Sequence, residues 1–311
     1  MGRIAEALKR AEQERAGRRE SEARGGEPLV FNWASGDSAP AGAESNPPAA
    51  EAGPAEPAPE RAAEPSSRPF IINAAPIPPA GVGARVISFH DPTSPLAERY
   101  RSIRTRLLTG NPSGSPRQYA VTSSLPREGK TVTTANLAFS LAELRHLRVA
   151  MIDLDFRQRG LTRLLGAEGR PGIAEVIRGE THLAEVCIPV VRANLHLIPA
   201  GDAQSMSSSE LLTGERVRSV FREISERFHY ALIDTPPANT VADIGLIAPL
   251  CHSVLIVIRM NRTPEPMVRR CVRMLQANGV PITGSILAGY CEESAGFADA
   301  QDYFQAPGQE A

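Results

Sequence analysis

The chain has few cysteines and almost no net charge, and each shortage argues against a class of protein. Its four cysteines, Cys187, Cys251, Cys271 and Cys291, are far apart and form no C-x-x-C pair, so we expect reduced thiols rather than a disulfide scaffold or a zinc site. The six histidines are equally scattered. With 34 Lys and Arg against 35 Asp and Glu, the formal net charge is -1, and the basic residues are dispersed. The sequence therefore does not favour nucleic-acid binding.

Long apolar runs are also missing. The longest, residues 246–258, contains Pro249 and His252 and is shorter than the roughly 20 residues that a membrane-spanning helix needs. Residues 1–6 are charged without an apolar signal core, and Glu6 stands where a myristoylation motif has Ser or Thr. We therefore expect a cytoplasmic protein without a membrane span, export signal or lipid anchor of its own.

Composition divides the chain into four parts. Residues 1–20 alternate in charge with apolar residues at helical spacing, which predicts a short helix that either frays in solvent or docks on a partner. Residues 21–83 are rich in Ala, Pro, Glu, Gly and Ser and are expected to be a disordered linker, with residues 70–72 as a candidate contact motif. Residues 84–290 are expected to fold, and residues 291–311 to form a flexible tail.

Apolar runs alternate with helical patterns in the expected folded domain. Ser94 is a candidate N-cap with Pro95 at the first helical position, and residues 86–89 are expected to form a lead-in strand. This alternation predicts an α/β fold with a mostly parallel, doubly wound sheet and helices on both faces. The remaining strands are predicted near residues 118–122, 147–153, 194–199, 229–234, 252–259 and 282–288.

Residues 123–131 lie between an apolar run and a helical run, which is the order of a phosphate-binding loop. Backbone N–H groups of such a loop converge on an anion at a helix N-terminus, Lys130 can neutralise phosphate and Thr131 can ligate Mg²⁺. Ser124 replaces the first glycine of G-x-x-x-x-G-K-[ST], so the loop alone is only suggestive. The candidate nucleotide-binding residues are Ser124, Pro126, Arg127, Glu128, Gly129, Lys130, Thr131 and Val132.

Two other apolar runs end in aspartate. Residues 149–152 lead into Asp153 and Asp155, and residues 231–233 lead into Asp234. Because the ligand crevice of an open parallel sheet lies at the carboxyl ends of its strands, we expect these carboxylates beside the phosphate loop. A single aspartate after a strand often only caps the next turn. The three segments together favour a site for ATP and its magnesium ion.

These segments resemble the bacterial tyrosine kinases of capsule and exopolysaccharide systems, a branch of the P-loop NTPases related to the cell-division and partition ATPases. The resemblance covers residues 85–290. Residues 124–131 are similar to the family's Walker A motif, residues 152–157 to its second Walker motif and residues 233–237 to its Walker B motif. The resemblance implies a P-loop fold, binding of ATP and Mg²⁺, and transfer of a phosphoryl group to tyrosine.

The resemblance also implies roles for single residues. Lys130 would hold the transferring phosphoryl group, Asp153 would orient or deprotonate the attacking hydroxyl, Asp155 would order the metal's water shell, and Arg157 would bind phosphate or brace the carboxylates. These four are the candidate catalytic residues. The candidate magnesium ligands are Thr131, Asp155 and Asp234.

Glu98, Arg101 and Arg104 match the family's E-x-x-R-x-x-R helix, which implies packing of subunits into a ring. The plain alternative is an ordinary exposed helix whose i, i+3 charge pair contributes roughly a few tenths of a kcal/mol. We favour the assembly role because the triplet stands at the family's position before the nucleotide strand.

The chain departs from the family in several places. The family's tails usually carry a tyrosine cluster, whereas residues 288–311 contain only Tyr290 and Tyr303, of which Tyr303 is the better candidate phosphoacceptor. Ala288 stands where relatives often have an asparagine that reads the adenine edge, which leaves the base preference open. Leu125 stands where the partition-type ATPases carry a signature lysine.

The leading interpretation is a cytoplasmic tyrosine autokinase that regulates exopolysaccharide or capsule polymerisation and export. It would be held at the inner face of the plasma membrane by a membrane-anchored chain-length protein that also activates it. One alternative is an ATP-gated assembly module of the same export system without significant tyrosine transfer. A second is a partition-type positioning ATPase that dimerises with ATP.

Overall fold

Parallel strands form the centre of the fold. The computed structural model describes residues 70–203, 206–240 and 243–289, and the predicted N-terminal helix, Tyr290 and Tyr303 lie outside these residues. Within the described part, the sheet has the strand order β3-β4-β2-β5-β1-β6-β7, and only the β3-β4 pair is antiparallel. The strands are β1 Arg117–Ser123, β2 Val149–Asp153, β3 Ile188–Val190, β4 Arg192–Ile198, β5 Tyr230–Asp234, β6 Ser253–Arg259 and β7 Ile282–Ala288.

Helices cover both faces of this sheet. Neighbouring residues of one strand serve opposite faces, as in β2, where Val149 and Met151 join one apolar cluster and Ala150 and Ile152 join the other. Because both faces are buried, these strands read as continuous apolar runs. The expected doubly wound α/β fold is confirmed. The helices are α1 Ile87–His90, α2 Pro95–Thr109, α3 Lys130–Ala142, α4 Gly160–Leu164, α5 Ile173–Arg178, α6 Leu183–Val186, α7 Ser208–Thr213, α8 Arg216–Arg227, α9 Ile244–Ile247 and α10 Glu265–Ala277.

The start of α2 follows the sequence expectation. Ser94 is the N-cap, its hydroxyl accepts a hydrogen bond from the backbone N–H of Ala97 at 3.3 Å, and Pro95 occupies the first helical position. A proline costs nothing there because that N–H has no partner inside the helix. The cap fixes where α2 begins and hence the register of its arginines.

The prediction of a lead-in strand at residues 86–89 is wrong, because Val86 is the N-cap of helix α1 and residues 87–89 belong to that helix. The backbone N–H of Ser88 donates to Oδ1 of Asn136 on α3 at 2.8 Å, and the rings of Phe89 and Phe139 lie 5.5 Å apart. Packing on α3 therefore overrides the β propensity of four residues, which is a weak preference. The short edge strand β3 was not predicted; it contains Pro189, which an edge strand tolerates.

Residues 70–83, assigned to the linker from composition, pack on the domain. Ile77 is 2% exposed, and its backbone N–H donates to the carbonyl of Pro189 at 2.8 Å. The ring of Phe70 meets that of Phe228 edge-on at 6.4 Å. A few apolar anchors among prolines and alanines hold the segment in place, and average composition hides them.

Among the residues that the structure describes, no helix combines the length and the apolar character needed to cross a membrane.

Candidate active site

The loop between β1 and α3 has the geometry of an anion-binding turn. Gly129 is the N-cap of α3 with φ of 99°, and Arg127 also has a positive φ of 65°. Left-handed residues within such a loop turn successive N–H groups toward one concave surface, and the N-terminus of a helix adds positive potential. Gly129 meets its φ without the steric penalty that a side chain would add. The predicted strand, loop and helix order is confirmed.

Lys130 brings the three motifs together. Its Nζ lies 2.9 Å from Oδ2 of Asp155 and 3.4 Å from Oδ1 of Asp234. The hydroxyl of Thr131 donates to Oδ2 of Asp234 at 2.6 Å. Asp153 lies beside them, because it is the direct register partner of Asp234 across β2 and β5. The phosphate loop and both acidic strand ends therefore meet at one place.

Burial and charge shift the titration of this cluster. Burial raises the pKa of Asp234, and the neighbouring Lys130 opposes that rise. The pKa of Asp153 is raised to about 7 by burial and then by the charge of Asp234. Burial disfavours the charged form of Lys130, but the carboxylates of Asp234 and Asp155 outweigh it and raise the pKa of the ammonium group. The cluster holds three carboxyl groups against one ammonium and is suited to a further cation.

The carboxylate of Asp153 is hydrogen-bonded to other groups of the protein. It is fully buried, and its Oδ2 accepts hydrogen bonds from both the backbone N–H and the hydroxyl of Thr162 at 2.8 Å. Its Oδ1 accepts from the backbone N–H of Asp155 at 3.1 Å. Because the side chain is also fully buried, a substrate hydroxyl could reach this carboxylate only if the residues around it moved.

The other candidate residues are distributed around the loop. Ser124 is fully buried at the base of the loop, Pro126 is exposed at its tip, and Val132 is half-buried on α3. Arg157 is exposed, and within the described chain it forms no hydrogen bond or ion pair with Asp153 or Asp155. Bracing of the two carboxylates by Arg157 is therefore not what this structure contains.

Glu98, Arg101 and Arg104 form a network whose centre the sequence did not reveal. Glu98 accepts from Arg101 at 2.9 Å, which is the expected i, i+3 pair. Both arginines also bind Glu143 at the C-terminal end of α3, at 2.8 and 2.6 Å, and Arg104 donates to the carbonyl of Ser140 at 2.7 Å. These residues thus join α2 to α3 within one subunit.

The donor set fits magnesium held together with a phosphate. Among the residues that the structure describes, no group of three or more His, Cys, Asp and Glu is arranged to hold a metal ion unaided. The site offers two carboxylates and the Thr131 hydroxyl, all hard oxygen donors. Mg²⁺ is usually bound in this way, through one or two carboxylates, water and substrate phosphates.

Comparisons with known proteins agree with this geometry. A family model described as an AAA domain matches residues 127–267. The chain is 30% identical over 216 residues to the tyrosine-protein kinase Wzc of Salmonella typhimurium, covering 70% of this chain and 30% of that protein. It is 33% identical over 183 residues to the succinoglycan biosynthesis transport protein ExoP of Rhizobium meliloti, covering 57% of this chain and 23% of that protein. The chain thus spans less than a third of these curated relatives.

Among solved structures, the kinase domain of VpsO is similar to this chain with 31% sequence identity and a TM-score of 0.56. The match covers 60% of this chain and 91% of that domain. The parallel sheet, the loop at the start of α3 and the acidic strand ends define a P-loop NTPase. More closely, the chain belongs to the bacterial tyrosine kinase family, whose fold it shares.

Proposed function

We propose that this protein is a protein-tyrosine kinase that transfers the γ-phosphoryl group of Mg·ATP to a tyrosine hydroxyl. The observation that carries the proposal is the convergence of Lys130 and Thr131 with Asp155 and Asp234, between 2.6 and 3.4 Å apart. Phosphoryl transfer needs little covalent help from a protein. Positioning and charge neutralisation supply most of its catalysis, and this cluster can provide both.

Thr131, Asp155 and Asp234 would hold the magnesium ion. When bound, Mg²⁺ would neutralise charge on the phosphate oxygens. Lys130 now pairs with both carboxylates, and a second cation among them would free its ammonium group to bind a phosphate oxygen. The loop's backbone N–H groups would orient the same phosphates at the N-terminus of α3. Arg157, which is exposed, would bind the outer phosphate.

Asp153 would orient the attacking hydroxyl or accept its proton. In support, burial and the Asp234 charge raise its pKa to about 7, where a general base works efficiently. Its burial and its bonds to Thr162 mean that this role requires a local rearrangement around the carboxylate. Without that rearrangement, the Asp153 carboxylate accepts from the backbone N–H of Asp155 and stabilises the turn that carries Asp155.

We place the kinase in regulation of exopolysaccharide or capsule polymerisation and export. It would be cytoplasmic, bound at the inner face of the plasma membrane to a membrane-anchored chain-length protein that activates it, and would assemble as a ring. The name of the relative ExoP supports the pathway, and the tyrosine kinase names of other relatives support the chemistry. Tyr303, or less favourably Tyr290, would accept the phosphoryl group.

The decisive experiment incubates the purified full chain with labelled ATP and Mg²⁺, with and without the cytosolic segment of a membrane partner, and maps phosphotyrosine by mass spectrometry. We expect label on Tyr303 that is lost in Lys130→Ala and in Tyr303→Phe. Label on Tyr290 alone would correct the acceptor. The absence of phosphotyrosine under both conditions would end the kinase proposal.

A second candidate is an ATP-gated assembly module, favoured by the presence of only Tyr290 and Tyr303 in residues 288–311. Such a module would need nucleotide but not tyrosine transfer. It predicts that Tyr303→Phe leaves polymer export intact while Lys130→Ala abolishes it. Equal loss of export in the two variants would reject the module and support the kinase. A partition-type ATPase would instead form ATP-dependent dimers, which light scattering distinguishes from rings.

A further inference from the structure

Glu128 is a buried acid that the proposed chemistry does not use. It is 1% exposed, although the neighbouring loop residues Pro126 and Arg127 are exposed. A carboxylate facing a polyphosphate would repel it, so its side chain is not suited to touch the ligand. Burial of an acid requires compensating hydrogen bonds.

Two donors supply that compensation. Oε2 of Glu128 accepts from the backbone N–H of Leu125 at 3.1 Å, which closes the phosphate loop on itself. Oε1 accepts from the hydroxyl of Thr263, which lies between β6 and α10. The same hydroxyl oxygen accepts from the backbone N–H of Arg259 at 3.1 Å, so the hydroxyl acts as donor and acceptor at once.

Residues 259–263 and 288–289 form a wall beside the phosphate loop, and Thr263 is part of it. The backbone N–H of Met260 donates to the carbonyl of Ala288 at 2.9 Å. A Cβ built on Gly289 would lie 2.8 Å from Nε of Arg259, so this side chain packs against the end of β7. A Cβ built on Gly129 would lie 3.7 Å from the Cβ of Ala288. The connection 259–263 and residues 288–289 thus stand next to the loop.

The sheet order assigns this wall to the nucleoside. The carboxylates proposed to bind magnesium, Asp155 and Asp234, lie at the ends of β2 and β5 on one side of β1, whereas the wall lies at the ends of β6 and β7 on the other side. A triphosphate whose outer end meets Lys130 and the magnesium ion held by Asp155 and Asp234, and whose chain crosses the loop after β1, would direct its nucleoside toward β6 and β7.

We propose that Glu128 is a positioning residue that fixes the nucleoside wall to the phosphate loop through Thr263. The inference rests on the proposed nucleotide function and extends it. The Glu128 carboxylate sets the spacing between the phosphate loop and the wall. Loss of the wall contact would therefore weaken recognition of the nucleoside and leave recognition of the polyphosphate intact.

The test compares two ligands, ATP and inorganic tripolyphosphate, each titrated with Mg²⁺ into the full chain by calorimetry. Thr263→Val replaces the hydroxyl with a methyl group of similar size, and we expect it to weaken ATP binding about tenfold while tripolyphosphate binding changes less than about twofold. Thr263→Ser keeps the hydroxyl and should bind both ligands like the unsubstituted chain. Glu128→Ala also frees the Leu125 N–H and should weaken both ligands.

The outcomes separate this inference from the proposal beneath it. Equal weakening of ATP and tripolyphosphate in Thr263→Val would show a general structural role and overturn the inference. Unchanged ATP affinity in that variant would overturn it as well. If the unsubstituted chain bound neither ligand, the nucleotide function itself would fail, and the inference with it.

Discussion

Arg101 and Glu143 form a two-pronged ion pair between α2 and the end of α3. Nε of Arg101 lies 2.9 Å from Oε2 of Glu143, and its Nη2 lies 2.8 Å from Oε1. Such parallel bonds fix the relative orientation of two groups as well as their distance. Because α3 begins with Lys130 and Thr131, the pair also holds the helix that carries the phosphate loop.

Removal of the Glu143 charge should therefore destabilise the fold. Glu143→Gln leaves Arg101 and Arg104 without their shared carboxylate, and since these side chains are only 25% and 14% exposed we expect a loss of about 1–3 kcal/mol in unfolding free energy. The matched control is Glu265→Gln, whose partner Arg269 is 64% exposed and whose effect should stay below about 0.5 kcal/mol. Urea denaturation of both variants measures the difference. Equal losses of unfolding free energy in the two variants would contradict the prediction that Glu143 stabilises the fold more than an exposed ion pair does.

The same network predicts a dependence of stability on pH. Burial pushes the pKa of Glu143 upward, but hydrogen bonds from Arg101 and Arg104 outweigh burial and hold it below its ordinary value. A lowered pKa in the folded state stabilises the protein above the unfolded pKa, about 4.3, and this contribution is lost as the pH falls through the folded pKa. The stability gap between the unsubstituted chain and Glu143→Gln should thus shrink below about pH 4. A gap that stays constant from pH 7 to pH 3 would refute the assignment.

Lys130→Met should show how much the Lys130 charge stabilises the buried carboxylates of the site. The variant keeps the length of the side chain but leaves buried Asp155 and Asp234 without their ammonium partner, which we expect to cost about 3–5 kcal/mol. Once the ammonium group is gone, water can complete the coordination of a Mg²⁺ ion between the two carboxylates, so millimolar Mg²⁺ without nucleotide should restore part of this loss and stabilise the variant more than the unsubstituted chain. Thermal unfolding with Mg²⁺ or with EDTA measures the difference. Equal stabilisation of the two proteins would argue against a cation site among these carboxylates.

Asp153 offers a test of catalysis against positioning. If it accepts the proton of the attacking hydroxyl, Asp153→Asn should lower kcat by about 10²–10⁴ with little change in ATP affinity. Thr162→Val removes one of the bonds that hold the carboxylate and serves as the matched variant. That bond favours the charged form of Asp153 and so lowers its pKa. We therefore expect the substitution to raise this pKa and to shift the pH profile of kcat in the same direction. An Asp153→Asn variant with normal kcat would leave the residue a structural role only.

The features predicted correctly, such as strand positions and the aspartates at strand ends, are those that depend on local sequence patterns. Buried parallel strands are apolar runs, so β1, β2, β5 and β6 were predicted close to their observed bounds, and the aspartates that end β2 and β5 were expected at the site. The edge strand β7, which is only partly buried, was also predicted at its observed bounds. What escaped prediction depends on distant partners. Arg101 finds Glu143 across 42 residues and Glu128 finds Thr263 across 135, and nothing in a single sequence links such positions. Helix α1 was missed for the same reason, since its partner residues on α3 are distant in sequence.

The segment before α1 supplies a last prediction, because composition assigned it to a linker and the structure packs it. Ile77→Ala should cost about 2–5 kcal/mol, since Ile77 is 2% exposed and its removal leaves a cavity beside β3. Ile71→Ala is the matched control, because this side chain is 58% exposed and its loss should change stability by less than about 0.5 kcal/mol. Denaturant unfolding of the full chain compares the two. If both substitutions proved neutral, residues 70–83 would not belong to the cooperative fold, and the linker would extend to residue 83 as composition indicated.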